Sequence, residues 1–166
     1  MTDQISSARI RLVPLTVADA EEMVGVLSEP ALYAFTGGGP PSLDELRARY
    51  VRQAAGRSAD GREEWRNWIL RREPGLDAVG YVQATITAAG QCAEIAWVIG
   101  REWQGQGYAI EAARALVAWL GQQAVRTVIA HVHPRHRASA AVAAAAGLSP
   151  TGRVQDGEIR WQRALA

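Results

Sequence analysis

Gln104-Gly105-Gln106-Gly107-Tyr108-Ala109 lies where a strand pattern gives way to a helix pattern, and its reading decides the fold. Before it, Ala93-Glu94-Ile95-Ala96-Trp97-Val98-Ile99 is rich in β-branched and aromatic residues and closes at Gly100, which predicts a strand. After it, Ala109 to Leu120 is apolar almost all round and holds neither Gly nor Pro, which predicts a buried helix. A glycine-rich turn at a helix start leaves backbone N–H groups unpaired, and the helix dipole adds partial positive charge there. The stretch therefore predicts a phosphate-bearing ligand. A tight turn that binds nothing is the alternative.

Spacing narrows the ligand. A dinucleotide fingerprint needs a third Gly at position 110, which is Ile110, and a P-loop needs Lys followed by Ser or Thr, which is absent. The stretch fits Gln/Arg-x-x-Gly-x-Gly/Ala, and here the chain resembles the GNAT superfamily of acyl-CoA-dependent N-acetyltransferases. The resemblance implies that Gln104, Gly105, Gln106, Gly107, Tyr108 and Ala109 wrap the pyrophosphate of acetyl-CoA.

The 166 residues suit one domain, residues 1–166, with a real core. Eighteen basic against seventeen acidic residues point to neither nucleic acid nor an anionic membrane. One cysteine excludes an intramolecular disulfide and suits a reducing compartment. Met1 to Ala8 is short and polar, unlike a signal peptide, and the longest apolar run is too short to cross a bilayer. A soluble cytoplasmic protein is the expectation, and a homodimer is compatible with it.

The rest of the chain alternates strands and helices. Arg9 to Leu15 reads as a strand, Thr16 to Ser28 as a helix, and Gly37 to Pro41 as a loop. Ser42 and Glu45 form a capping box for a helix running to Ala55. After a polar connector at Gly56 to Glu64, strands are expected over Trp65–Arg71 and Val79–Thr87, turning at Pro74-Gly75. Thr127 to His133 reads as a strand, Ser139 to Ala146 as a short helix stopped by Gly147, and two short strands end the chain. The order β-α-α-β-β-β-α-β-α-β-β predicts an α/β domain, or α+β by another convention. Its mixed sheet has about seven strands, with helices on both faces. The strands flanking the Ala109 helix should be parallel, through a right-handed crossover. The resemblance implies that these two strands splay and take the pantetheine arm, with Trp97, Val98 and Ile99 offering backbone groups. One N–H of that strand would also serve as an oxyanion donor. The Trp97 side chain itself is expected in the core.

A second segment supports the first. His133-Pro134-Arg135-His136-Arg137-Ala138-Ser139, followed by Val142-Ala143 and Gly147-Leu148, is similar to the family's Asn-x-x-Ser, Ala-rich helix and Gly-Phe or Gly-Leu. Ser139 sits as a helix N-cap. In the branch resembling bacterial N-terminal alanine acetyltransferases of ribosomal proteins, this Ser contacts the coenzyme sulfur. His136 stands where the family has Asn and can still hydrogen-bond.

Amine acetylation needs a base, because a primary amine is protonated at neutral pH. By resemblance the base position is His131, with Glu94 on the preceding strand as the competing candidate. The Tyr that some relatives use as acid is Ala143 here, which leaves Ser139 or water. Cys92 has no evident base beside it, so direct transfer in a ternary complex is preferred to an acetyl-cysteine route. The acceptor side is expected around Tyr33, Phe35, Gly38 and Trp65, with Trp68 near it or in the core. Arg101, Arg135 and Arg137 are candidates for the coenzyme 3′-phosphate. No acidic cluster favours a polycation, so a peptide or protein α-amine leads a small-molecule amine. Two alternatives stand beside this reading. His131 and His133, completed by His136 or a carboxylate, have zinc-ligand spacing for a metal hydrolase, although no metal is expected. A non-catalytic acyl-CoA-binding module is the other.

Overall fold

The computed structural model describes residues 2–87 and 89–166. The strands are β1 (Ile5–Ser6), β2 (Ile10–Pro14), β3 (Glu64–Arg72), β4 (Asp77–Thr87), β5 (Cys92–Ile99), β6 (Thr127–Val132), β7 (Ser149–Gln155) and β8 (Glu158–Ala164). The helices are α1 (Ala20–Val26), α2 (Leu43–Ala54), α3 (Tyr108–Gln122) and α4 (Arg137–Ala145). All eight strands form one mixed sheet in the order β1-β2-β3-β4-β5-β6-β8-β7. Eight replaces the expected seven because β1 pairs with β2 through only two residue pairs, too short for a period-two signal.

Each helix pair covers one face. Met23, Leu27, Leu46 and Tyr50 bring α1 and α2 onto Ile69 and Ala78. Ala112, Leu116 and Leu120 of α3, with Val142 and Ala143 of α4, pack on Trp68, Val82, Ile95 and Val128 of the opposite face. A fully buried Met or Leu side chain contributes about 1.5–3 kcal/mol. The exposed Arg47–Glu21 pair at 3.0 Å contributes at most about 1 kcal/mol, so burial fixes the docking of α1 and α2. Arg71 adds a polar pin, reaching Asp19 and Glu22 at 2.8 Å each.

Local chemistry sets the boundaries. The expected capping box starts α2: Glu45 N–H donates to Ser42 Oγ at 3.2 Å, and Ser42 N–H to the Glu45 carboxylate at 3.4 Å. The first helix is shorter than expected, because Val17–Asp19 forms a 3-10 turn before α1. β6 stops at Val132, one residue early, since Pro134 offers no N–H for pairing. α4 starts two residues early, and its N-cap is His136 rather than Ser139.

One relationship in the sheet creates the site. β5 and β6 are parallel, as the crossover predicts, but pair only at Cys92–Thr127, Ala93–Val128 and Glu94–Ile129. Beyond that point β5 stays with β4 as far as Ile99–Gly80, while β6 stays with β8 as far as Val132–Ile159. Strands that follow different partners diverge, and a fork opens. Gly80 permits the close approach on the β4 side, since a Cβ there would lie 2.1 Å from the Val98 carbonyl oxygen. Next to it, Val79 is the extra residue where the β3–β4 register shifts.

Candidate active site

The Gln104–Ala109 loop lies at the end of the fork. Gly105 and Gly107 have φ of +77° and +84°, the left-handed region that favours glycine. The first helical bond of α3 runs from Glu111 N–H to the Gly107 carbonyl at 3.1 Å. The backbone N–H groups of Gly105 to Ile110 therefore find no backbone acceptor among the described residues. Gln104 braces the loop by donating from Nε2 to the Ile99 carbonyl at 3.0 Å. Arg9 holds it from β2, donating to the Gln106 carbonyl at 2.8 Å and lying 4.7 Å over the Tyr108 ring. Glu111 receives Ser7 Oγ–H, Arg9 N–H at 2.8 Å, Arg9 Nε at 2.8 Å and Ile10 N–H at 3.2 Å. Burial would raise the Glu111 carboxyl, but these bonds and the Arg9 charge outweigh it and hold the pKa below the ordinary range.

A cleft of about 690 Å³ runs from this loop along the fork. Trp97, Val98, Ile99, Gln104, Gly105, Gly107, Tyr108 and Ala109 line it, as do His131, His136, Ser139 and Phe35. A second concavity of about 880 Å³ lies between the Ser58–Glu64 loop and the β4–β5 turn, and none of the expected site residues lines it.

The two competing base candidates are partners. Glu94 pairs in register with Ile129, and His131 lies two residues further along β6 on the same face. His131 Nδ1 and Glu94 Oε1 are 2.7 Å apart. A carboxylate only accepts, so Nδ1–H donates, and in the neutral ring the lone pair is then on Nε2. The His131 side chain is 11% exposed and lines the cleft, whereas that of Glu94 is 50% exposed.

On the α4 side, Ser139 N–H donates to His136 Nδ1 at 3.3 Å. Burial, reinforced by His133, holds the His136 pKa below its ordinary value, which suits an acceptor. Phe35 stacks on His136 at 4.5 Å and meets His133 at 5.0 Å, bringing the segment after α1 to the cleft wall. His131 is thus turned to Glu94 while His133 and His136 flank Phe35. Among the described residues, no group of three His, Cys, Asp or Glu side chains is placed to hold a metal ion.

Other expected residues lie elsewhere. Tyr33 donates its hydroxyl to the Leu27 carbonyl at 2.8 Å, and Trp65 donates Nε1 to Glu63 at 2.9 Å. Neither they nor Gly38 and Gln106 line the cleft. Trp68 is fully buried. Cys92 begins β5, at the end remote from the cleft. Arg101, Arg135 and Arg137 are exposed. Sequence reasoning missed Arg9, Tyr81, Gln83 and Glu158. The last three line the cleft, and the strand alternation that carries polar groups onto this face was their available signal. Burial pushes the Tyr81 phenol up, so its hydroxyl stays a donor.

The donor set suits the acetyl-CoA that the resemblance implies. Open amides with a positive helix end face one part of the cleft, and unpaired edges of β5 and β6 face the rest. No helix among the described residues is long and apolar enough to cross a membrane.

Comparison with known proteins agrees. A family model for the acetyltransferase (GNAT) domain matches residues 9–149. No curated protein sequence matches. Among solved structures, RimL, a ribosomal L7/L12 α-N-protein acetyltransferase in complex with coenzyme A, gives a TM-score of 0.82 at 16% identity, covering 98% of each chain. A GNAT-family acetyltransferase from Bacillus anthracis gives 0.79 at 17% identity, also over 98% of each chain. An aminoglycoside acetyltransferase in complex with coenzyme A gives 0.77 at 18%, over 93% of this chain and 94% of that one. At these identities the structures speak for the fold alone. The family model spans most of the chain and ends beyond the α4 segment, and on that match the chain belongs to the GNAT acetyltransferases.

Proposed function

We propose that this N-acetyltransferase moves an acetyl group from acetyl-CoA to the α-amine of a peptide or protein, by direct attack while both are bound. The hydrogen-bonded His131–Glu94 pair at the fork carries the reading. Acetyl-CoA supplies an activated acyl carbonyl. Gly105, Gly107, Tyr108 and Ala109 offer amides to its phosphates, and the free edge of β5 at Trp97–Ile99 offers N–H groups to the arm and to the acyl oxygen.

Glu94 holds the His131 ring with Nε2 free to take the proton that makes the amine a nucleophile. A paired base of this kind favours catalysis over a coenzyme-binding module. Ser139, on the α4 side of the cleft, is the hydroxyl available to the departing thiolate. Cys92 is remote from the cleft, which supports direct transfer.

The acceptor wall holds Leu32 and Phe35 beside Gln83 and lacks an acidic cluster, which suits a peptide end better than a polycation. RimL, an α-N-protein acetyltransferase similar in fold over almost the whole chain, supports the same class. The test is thiol release from acetyl-CoA with peptides, amino acids, polyamines and aminoglycosides in parallel. Turnover of peptides is expected. Turnover of polyamines or aminoglycosides alone refutes the proposal.

A further inference from the structure

β8 presents charge beside the base. Directly opposed residues of an antiparallel pair share a face, with Cβ atoms about 4.5–5.5 Å apart. His131 is opposed to Arg160, so Arg160 stands next to the imidazole on the side away from Glu94. Glu158, two residues back on the same face, lines the cleft, whereas Arg160 stands at its border, beside His131 rather than in the lining.

Arg160 differs from the other half-buried arginines of the sheet. Arg71 has Asp19 and Glu22, and Arg66 has Glu64. Arg72, whose Nε is also unpartnered, still holds Asp77. Arg160 is half-buried, its Nε is desolvated without a hydrogen-bond partner, and no carboxylate among the described residues comes within ion-pair distance. Glu94, on the other side of β6, is taken by His131. Nε is closed off by the protein, whereas the two terminal nitrogens have no hydrogen-bond partner among the described residues and keep access to solvent, so theirs is the edge that a carboxylate can meet through two parallel bonds.

We infer that the acceptor carries a carboxylate on the residue that bears the reacting amine or on the next one, within roughly 7 Å of that amine, and that Arg160 selects it. The inference rests on His131 as the base beside which the amine is held. Such a carboxylate belongs either to a free amino acid or to an acidic side chain at the second position of a peptide. Glu158 supplies the opposite charge towards the mouth, facing the ammonium as it enters.

The test measures kcat/KM for matched acceptors. Dipeptides with Asp, Asn or Lys as second residue are compared as C-terminal amides, and a free amino acid is compared with its own amide. A carboxylate preference of about tenfold or more is expected, from one bidentate charge pair. The pair that shows it identifies the source. In Arg160→Gln the ratio of carboxylate to amide acceptor should fall towards one, and Arg160→Glu should shift preference to the Lys dipeptide. Thermal melting and coenzyme affinity check that the variants fold.

Equal rates for carboxylate and amide acceptors in the wild type overturn the inference without any variant. An unchanged ratio in folded Arg160→Gln, or turnover only of amines without a carboxylate, does the same. A carboxylate preference that survives alongside full activity of His131→Ala would leave the selector in place and remove the base.

Discussion

His131 and Glu94 are 37 positions apart in the chain, yet their side chains meet at 2.7 Å where β5 and β6 part. His131→Ala should lower kcat by about 10²–10⁴-fold while coenzyme affinity stays near that of the wild type. Glu94→Gln should lower kcat by at least about 10-fold. That is less than the ~10⁴ for amidation of a fully buried triad carboxylate, because Glu94 is half exposed. Stopped-flow kinetics with coenzyme titration checks both, and normal kcat in His131→Ala removes it as base.

Gly107 has φ of +84°, and a Cβ there would lie 3.2 Å from the Arg9 guanidinium. Gly107→Ala should cost about 1–2 kcal/mol of stability from the left-handed backbone alone. Gly107→Glu adds negative charge against the amides and should weaken coenzyme binding about 100-fold or more, roughly 2.7 kcal/mol. Calorimetric titration, with circular dichroism for folding, measures both. Unchanged affinity in Gly107→Glu would show that the loop does not meet the pyrophosphate.

His136 caps α4 as a neutral acceptor, and its pKa is lowered below 6.5 by burial and by His133. The unfolded chain therefore binds more protons in this range, so the cap contributes fully above about 6.5 and is lost as pH falls through the folded-state value. His136→Asn keeps a side-chain acceptor that does not titrate. The difference in melting temperature between pH 7.5 and pH 5.5 should shrink in the variant. An equal difference in both proteins would mean that the cap is not what titrates.

Glu111 ties the β1–β2 turn and the start of β2 to the first turn of α3 through four hydrogen bonds. Glu111→Gln should cost about 1.5–3 kcal/mol at neutral pH, the range for charged hydrogen bonds. Because the folded pKa lies below the ordinary 4.5, this contribution is complete above that value and fades as pH falls beneath it. Urea unfolding at pH 7 and at pH 3 should show the gap between variant and wild type narrowing in acid. A gap that stays constant would contradict the ionised network.

Most of the architecture was legible because its signals are local. Ser42 and Glu45 announce α2 three residues apart, and Gly100 closes β5 in plain view. The loop at Gly105 and Gly107 was readable for the same reason. What depended on register was not. His131 and Glu94 read as rivals until the Glu94–Ile129 pairing put them on one face. His136 was overlooked as the α4 cap because His lies outside the usual cap residues. Phe35 belongs to the cleft only because it crosses to His136, and Trp65 lies outside because it is level, through Thr85, with Glu94 at the closed end of the fork. Arg9 lies 97 positions from the carbonyl it holds, and no periodicity reports such a contact.

The short β5–β6 pairing has a consequence for solubility as well as chemistry. An open strand edge is ordinarily a hazard at the rim of a sheet, where another chain can add to it. Here two such edges face each other in the middle, between packed helices. A polypeptide strand would have to force side chains into both faces to join them, whereas the β-alanyl-cysteamine end of a pantetheine arm carries amides without side chains. On the proposed reading, the fork works as a sieve on cross-section, taking a thin guest and leaving no room for a strand of another chain.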